Sequence, residues 1–529
     1  MSEILQACEN TFGNPEVLAI VVAAAVYGVF VGAIPGLTAT MAVGLFVPLA
    51  YWLDPVPALA AVVTMEACAI FAGDIPNALL RIPGTPSSAA YVDDAYFYTR
   101  RGQSDRPLGV CLLFSVVGGL MGAGVLILLG HRLAQFASAF SVAEYFWLYV
   151  LGLSCAVVVS RGSLAKATLA MLLGLLCSTV GLSAVHTQAR FTFGQSELFQ
   201  GINFIPAMIG LFGVSEVLRN MLVPDESHAV TDGGPGIDLP GDSHSPGRRG
   251  LLWRVIVGPV DAVLEPARRL LFQRIPQMFR SATIGVLIGM LPGAGADIAA
   301  WVSLGVSKRF SKHPEEYGRG SLAGISDATT ANSAALAAAW IPALVFGIPG
   351  DSVTAIIIGV LLMKNITPGP QIFETQAVVV YSLYFIFILA NLVLIPVGML
   401  AIKAGGYVVR VPRRVLLPVI LLLCVIGAFA INASYFDVGI MLSMGLIGFL
   451  LERRQIPLGP VVLGIVLGGP LEERLIQTVT GADGSLIALV DRPVAAGLGL
   501  LCLALWVSAL VGKVLDGKRG AAEKTENKD

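Results

Sequence analysis

The sequence predicts an all-α polytopic membrane protein with two inverted-topology repeats, helices broken at Pro-Gly pairs, and about 10–12 transmembrane segments. Its 529 residues are 56% hydrophobic and 13% charged, with a mean hydropathy of +0.79. Soluble proteins carry about 25% charged residues. Long apolar runs recur along the chain, and two motifs of its first half return in its second half.

The apolar runs give the predicted crossings, because a run of roughly 17 or more residues spans a hydrocarbon core about 30 Å thick. One of the predicted crossings, 457–470, is shorter than a full span. Outside the broken segments the predicted crossings are 107–130, 138–160, 164–186, 204–223, 377–402, 415–433, 436–452, 457–470 and 494–512.

The glycine- and proline-rich stretch 224–250 predicts a linker between two halves, since it cannot form a buried element. The arginine-rich stretch after it is placed in the cytoplasm. The N-terminus has no lysine or arginine, so it lacks the start of a signal peptide and the first apolar run is expected to be retained. The predicted division is a first half 1–223 (broken-helix core 17–100, outer helices 107–223), a cytoplasmic linker and amphipathic segment 224–280, a second half 281–512 (core 281–370, outer helices 377–512) and a polar tail 513–529.

Two pairs of motifs indicate an internal duplication. GVFVGAIPG at 28–36 matches GVLIGMLPG at 285–293, and IPNALLRIPG at 75–84 matches IPALVFGIPG at 341–350. Corresponding loops carry opposite amounts of basic charge, which predicts that the halves are inverted in the membrane, with the N-terminus outside. Basic residues also flank 281–307 on both sides, which favours a hairpin that enters and leaves from the cytoplasm over a kinked span. After the first motif, the second half carries Lys308, Arg309, Lys312 and Arg319, whereas the matching loop of the first half, 50–57, carries no basic residue. After the second motif, the first half carries Arg100, Arg101 and Arg106, whereas the second half carries only Lys364.

Four Pro-Gly pairs break these segments, and small or hydroxylated residues follow each one. The first to fourth breaks, in chain order, are Pro35–Gly36, Pro83–Gly84, Pro292–Gly293 and Pro349–Gly350. A break frees backbone N–H groups, which in a membrane are tolerated only against protein or a water-filled cavity. New helix starts with nearby hydroxyls suit an anion or carboxylate, although a kink that lets helices pack is the alternative. The predicted substrate-binding residues are Pro35, Gly36, Thr38, Arg81, Gly84, Thr85, Ser87, Ser88, Gly293, Gly295, Asn332, Ser333, Gly350, Ser352 and Thr354.

Charged and polar residues in the apolar segments are further candidates for binding the substrate or the coupling ion. Arg81 either neutralises a substrate carboxylate or pairs permanently with Asp351 or Asp74. Asn332 and Ser333 lie in a polar stretch that either faces the substrate or bonds neighbouring helices. Glu66 is similar to the other acids but has no break beside it. The coupling-ion candidates are Asp74, Asp297, Asp327 and Asp351, with helix capping as the alternative, above all for Asp351.

Other function classes find little support. A net charge of −1 gives no sign of a nucleic-acid partner, and the seven cysteines and five histidines show no metal-binding spacing. An ion channel or an intramembrane enzyme stays the alternative function. The segment PGAGAD at 292–297 is similar to the glycine-x-glycine-aspartate of intramembrane aspartyl proteases, but its aspartate is displaced by one position.

Four segments resemble the large membrane subunit of the bacterial tripartite tricarboxylate transporters, a likeness that covers roughly residues 15 to 470. They are GAIPGLTATMAVGLFVPLAYWLDP (32–55), GDIPNALLRIPGTPSSAAYVDDAY (73–96), GVLIGMLPGAGADIAAW (285–301) and IPALVFGIPGDSVTAIIIGVLLMKNITPGP (341–370).

The resemblance implies a secondary transporter in the bacterial inner membrane. It implies a small four-helix membrane subunit as partner, a periplasmic solute-binding protein that delivers a carboxylate, a sodium or proton gradient as the driving force, and no other cofactor. The sequence departs from the family pattern at SDATTANSAA (326–335), at Asp93–Asp94–Ala95, at Asp351 and at Arg81. We expect the broken segments of both halves to meet near the midplane and to slide or rock against the outer helices, with an elevator-like slide favoured over rocking.

Overall fold

The computed structural model describes residues 2–34, 37–160, 163–183, 188–222, 258–408 and 413–526, and these residues are almost entirely helical. The predicted linker 224–250 lies outside them, as do Pro35 and Gly36. Nine helical segments of the described chain are long and apolar enough to span a membrane, which confirms an all-α, multi-pass membrane protein. They are Pro15–Gly32, Pro55–Leu80, Asp105–Ser138, Val142–Val159, Phe204–Leu222, Leu322–Phe346, Ala377–Gly405, Tyr435–Arg453 and Pro493–Val511.

The first half begins with a broken-helix core. Asn14 caps the start of the second helix by accepting from the Glu16 amide at 2.9 Å, and Pro15 fits the first helical position. A 3₁₀ turn, Ser88–Tyr91, follows the second break. The α-helices of this part are α1 (Ser2–Cys8), α2 (Pro15–Gly32), α3 (Ala39–Ala50), α4 (Pro55–Ala72), α5 (Asp74–Leu80) and α6 (Val92–Thr99).

The second half begins its own broken-helix core after the amphipathic helix α12 (Gly258–Gln273). Helices α13 and α14 are neighbours on either side of the Pro-Gly pair, and both pack against α15. The helices of this core are α13 (Ile275–Gly289), α14 (Gly295–Arg309), α15 (Leu322–Phe346) and α16 (Ser352–Met363).

The matched motifs build the same helix contact twice. A Cβ atom on Gly32 would lie 2.3 Å from the Ala69 carbonyl oxygen, so α2 and α4 touch backbone to backbone. A Cβ atom on Gly289 would lie 2.2 Å from the Ala335 carbonyl oxygen, so α13 and α15 do the same. Small residues four apart allow this close approach in membrane helices. The contacts agree with the internal repeat, while the inversion of the halves stays a prediction.

One compact unit, Met1–Ala134 with Ile205–Met290 and Gly295–Phe449, holds both broken-helix cores except Leu291–Ala294. It also includes most of α7 (Asp105–Ser138), although the sequence predicts α7 among the outer helices. The reason is that Gly118 and Gly122 bring α7 against the backbone of α15. The other helices with residues in this unit are α10 (Phe204–Met208), which continues through a π-helical stretch into α11 (Ser215–Leu222), α12, α17 (Ile372–Thr375), α18 (Ala377–Val408), α19 (Arg413–Asn432) and α20 (Tyr435–Arg453).

The second compact unit comprises Gln135–Phe204, Leu291–Ala294 and Leu450–Asp529. Its helices are α8 (Val142–Val159), α9 (Leu164–Ser178), α21 (Leu458–Thr480) and α22 (Pro493–Glu526), with a short antiparallel pair of strands, β1 (Gly181–Leu182) and β2 (Ala189–Arg190). Helix α21 is longer than its apolar run predicts, because it continues through charged residues. One of these, Glu472, accepts two hydrogen bonds of 2.9 Å from the Arg190 guanidinium.

Candidate functional site

A buried turn of hydroxyl residues follows the second Pro-Gly break. The Thr85 amide donates to the Ser88 hydroxyl at 3.1 Å, and the Ser88 amide donates to the Thr85 hydroxyl at 3.2 Å. The hydroxyls of Thr85 and Ser87 are 2.9 Å apart. The predicted site residues Thr85, Ser87 and Ser88 are therefore neighbours, and the side chains of Thr85 and Ser88 satisfy each other's backbone amides.

The same turn contacts the second half of the chain. The Ser87 amide donates to Asp297 Oδ1 at 2.9 Å, and the Trp301 indole donates to the Pro86 carbonyl oxygen at 3.1 Å. Both partners come from the first turns of α14, which follows the third break. The segments that follow two of the predicted breaks are thus brought together, and the Asp297 carboxylate accepts a hydrogen bond from a backbone amide where they meet.

The fourth break lies beside α14. Asp351 is the N-cap of α16: its carboxylate accepts from the Thr354 amide at 2.8 Å, and its own amide donates to the Thr354 hydroxyl at 2.8 Å. This confirms the capping role that the sequence suggests for Asp351. A Cβ atom on Gly295 would lie 3.7 Å from the Asp351 Cβ, so the starts of α14 and α16 are adjacent. Ser352 is the first residue of α16.

Helix α3, which follows the first break, packs against α16. Its N-cap is Thr38, whose hydroxyl accepts from the Met41 amide at 3.2 Å. A Cβ atom on Gly44 would lie 3.6 Å from the Ile356 side chain, which places the second turns of α3 and α16 side by side. The turn at Thr85–Ser88 and the starts of α3, α14 and α16 therefore form one chain of neighbours within this unit.

The three break glycines among the described residues are packed against protein. A Cβ atom on Gly84 would lie 2.5 Å from the Gly73 carbonyl oxygen, and one on Gly350 would lie 2.7 Å from the Ala339 Cβ. Gly293, in the second compact unit, has φ 76° and faces Ala156 in the same way. These positions require glycine for close packing, so replacing them tests helix packing as much as substrate contact.

Arg81 is placed differently from the expectation of a permanent partner in Asp351 or Asp74. Its guanidinium bonds Asp93 Oδ1 at 2.6 Å, and both side chains are more than half exposed, at 61% and 54%. The reason is that Arg81 ends α5 in the left-handed conformation, with φ 60°, which turns it away from the helix core. Asp74 instead accepts from the Tyr91 hydroxyl at 2.6 Å.

Asp327 is held by two arginines. The Arg274 and Arg280 guanidinium groups donate to Asp327 Oδ2 at 2.9 and 2.8 Å, and Asp327 is only 1% exposed. Two positive charges on one carboxylate leave this cluster without the negative charge that a coupling cation needs. Helix capping, the alternative reading of Asp327, does not describe it either.

The polar stretch of α15 is buried. Thr329 and Thr330 donate their hydroxyls to carbonyl oxygens of their own helix, at Ile325 and Ser326, both at 2.8 Å. Asn332 and Ser333 follow on the same helix, at 5% and 8% exposure. In the described part of the chain, the Asn332 side-chain oxygen is buried without a hydrogen-bond partner. Asn332 therefore offers a buried hydrogen-bond acceptor within this stretch.

Two buried acids, Glu66 and Asp94, are not among the coupling-ion candidates that the sequence predicts. Glu66 is fully buried in α4 and accepts from the Trp340 indole at 3.3 Å, while its other oxygen has no partner among the described residues. The signal was present, since an acid in AVVTMEACAI is costly to bury. Asp94 Oδ1 accepts three amide hydrogen bonds, each of 2.8 Å, from Gly318, Gly320 and Ser321. Burial raises the pKa of the Asp94 carboxyl, and these hydrogen bonds offset only part of that rise.

Comparison with known proteins agrees with this architecture. Residues 18–463 match the tripartite tricarboxylate transporter TctA family. The chain is 33% identical over 493 residues, 92% of each chain, to an uncharacterized 52.8 kDa protein in the TAR-I ttuC' 3' region of Agrobacterium vitis. It is 35% identical over 224 residues, 42% of this chain and 93% of the relative, to an uncharacterized protein in the TAR-II ttuC' 3' region of the same organism.

No solved structure matches the chain. The family match spans most of the sequence and includes all four Pro-Gly breaks. The chain therefore belongs to the tripartite tricarboxylate transporter TctA family, as the large membrane subunit of a tripartite transporter.

Proposed function

We propose that the protein imports a tricarboxylate or dicarboxylate across the bacterial inner membrane as a cation-coupled secondary transporter. A periplasmic solute-binding protein would supply the substrate, and a small four-helix membrane subunit would complete the assembly. Family membership supports a transporter that works with partner subunits. The substrate class, the coupling ion and the partners are the parts that we add.

The hydrogen bond from the Ser87 amide to the Asp297 carboxylate carries this proposal. It joins the turn after one break to the helix after another, and it is itself an amide–carboxylate contact. Fixed amide dipoles bind anions because no reorganisation is needed when the charge arrives. The neighbouring hydroxyls of Thr85 and Ser88 hold this turn in shape. Arg81, a few residues before this turn, would add a positive charge at its exposed side.

The coupling cation would bind among the acids of the same region. Asp74, Asp297 and Asp351 are our candidates, and we leave Asp327 out because two arginines hold it. Sodium or a proton would reduce the negative charge there before the substrate's carboxylates arrive. A loaded site close to neutral crosses a membrane at lower cost than a charged one. We propose alternating access, with an elevator-like slide, as the way in which the loaded site changes sides.

Uptake of labelled citrate and succinate in vesicles that contain the chain with its partner subunits tests the function. We expect gradient-driven accumulation in the wild type and a loss of about tenfold or more in Ser88→Ala, because the Thr85 amide then loses its acceptor. Ser508→Ala is the matched control, since this exposed hydroxyl bonds only the carbonyl oxygen of its own helix. Its uptake should equal that of the wild type.

Two outcomes would contradict the proposal. Normal uptake in Ser88→Ala would show that the turn has no part in substrate binding. Electrical conductance far above the turnover of any carrier, without accumulation of either probe, would favour an ion channel instead.

A further inference from the structure

The amide of Ser87 differs from its neighbours in the source of its acceptor. In the turn after the second break, the Thr85 and Ser88 amides are bound by each other's hydroxyls. The Ser87 amide is bound by Asp297, which lies 210 positions away in the sequence on α14. Of these three acceptors, Asp297 is therefore the one that can leave while the turn keeps its own hydrogen bonds.

Asp297 also carries the chemical group that the proposed substrate would present. A single N–H cannot serve two carboxylates equally, and two negative charges in one poorly solvated region repel each other. The substrate's carboxylate and Asp297 would thus compete for the same donor. This step rests on the proposed function.

We propose that Asp297 is a tethered carboxylate that competes with the substrate for the Ser87 amide and has to be displaced when the substrate binds. A cation that binds Asp297 would weaken its hold on Ser87 and at the same time remove its repulsion of the substrate. Cation and substrate would then favour each other's binding, as linkage between two sites requires. Asp297 would link the two without contacting the substrate.

The simpler role for Asp297 is a fixed strut that holds the turn in place. The two roles differ in what they need from the side chain. A strut needs an acceptor oxygen of the right size, which asparagine also provides, whereas a competitor acts through its negative charge. Asp297→Asn therefore separates them.

The first test measures binding of citrate and succinate to the purified full chain by calorimetry, at constant pH and ionic strength. We expect Asp297→Asn to bind the probes at least about tenfold more tightly than the wild type, since one like charge is removed. Glu315→Gln is the control, because the Glu315 side chain is 65% exposed. Unchanged or weaker binding in Asp297→Asn would overturn the proposal.

The second test does not depend on the substrate's identity. In Asp297→Ala the Ser87 amide loses its acceptor, so hydrogen exchange of the segment 84–91 should become about tenfold faster. Added formate, a free carboxylate of nearly the size removed, should slow that exchange again, while the same concentration of chloride should not. Formate without effect would overturn the proposal.

The two tests also separate this inference from the proposed function. If neither citrate nor succinate binds any variant, the proposed substrate class is contradicted. The formate experiment then decides whether the Ser87 amide binds a free carboxylate in place of Asp297. Formate protection in a protein that transports no carboxylate would overturn the proposed function and support the carboxylate-binding turn. Should Asp297→Ala fail to fold, the titration of Asp297→Asn decides.

Discussion

Arg81 and Gly347 occupy the same left-handed position at the ends of matching helices. Their φ and ψ angles are 60° and 27° for Arg81, and 69° and 21° for Gly347. The next amide closes the same hydrogen bond in both halves, from Ile82 to the Pro76 carbonyl oxygen and from Ile348 to the Pro342 carbonyl oxygen. Glycine takes this conformation without cost, whereas arginine does not. An arginine there is a departure that stability does not explain.

We therefore expect Arg81→Asn to impair transport but not folding. Asparagine tolerates the left-handed conformation, and the lost ion pair with Asp93 is exposed and worth at most about 1 kcal/mol. Thermal unfolding in detergent should stay within a few degrees of the wild type. Uptake should fall about tenfold if the guanidinium binds a substrate carboxylate. Arg100→Asn, at another exposed arginine, serves as the control, and full uptake in Arg81→Asn would exclude Arg81 from the site.

The duplicated helix contacts predict matched effects of two glycine substitutions. Gly32→Ala and Gly289→Ala would each push a methyl group into a carbonyl oxygen of the facing helix. We expect each to lower the free energy of unfolding by about 1–3 kcal/mol, as overpacking does. Gly305→Ala is the control, because its methyl group would meet nothing within 4 Å, and alanine there favours the helix by about 1 kcal/mol. Equal melting temperatures in all three variants would contradict the backbone contacts.

The helix starts of the candidate site were predictable from the sequence, because the rules for them are local. A Pro-Gly pair ends a helix, and a threonine or aspartate soon after it caps the next one, as Thr38 and Asp351 do. The all-α membrane fold likewise follows from the apolar runs.

The contacts between the breaks were not predictable in the same way. Nothing local to Ser87 or Asp297 says that 210 residues of chain will bring them together. The outward position of Arg81 follows from one left-handed residue, which apolar neighbours do not reveal. Helix α21 exceeds its apolar run because Glu472 finds a partner in Arg190. Each of these depends on the folded partner and not on the segment itself.

The carboxylate of Asp94 predicts a stability effect outside the membrane-spanning segments. Asp94→Ala would leave three amides, those of Gly318, Gly320 and Ser321, without their acceptor. An unsatisfied buried donor costs about 1–3 kcal/mol, so we expect a loss of several degrees in melting temperature. Asp93→Ala is the neighbouring control, because its side chain is 54% exposed. A melting temperature as high in Asp94→Ala as in Asp93→Ala would contradict the role of these three hydrogen bonds.

The pairing of Asp327 with two arginines predicts a structural role that is separate from ion coupling. Removing the carboxylate in Asp327→Ala would leave the Arg274 and Arg280 guanidinium groups facing each other in a largely buried place. Breaking a buried ion pair in this way costs about 3–5 kcal/mol. Glu265→Ala breaks an exposed pair with Arg269 and should cost less than about 1 kcal/mol. Chemical or thermal unfolding of the two variants in detergent measures the difference.

The same residue also predicts what will not change. Because Asp327 is already neutralised by two guanidinium groups, the milder variant Asp327→Asn should keep the wild-type dependence of uptake on sodium concentration or pH, whatever its effect on stability. A cation dependence that is lost in Asp327→Asn would return Asp327 to the coupling site. It would also mean that the two arginines release it during transport, since a carboxylate bound by both has no net negative charge to offer a cation.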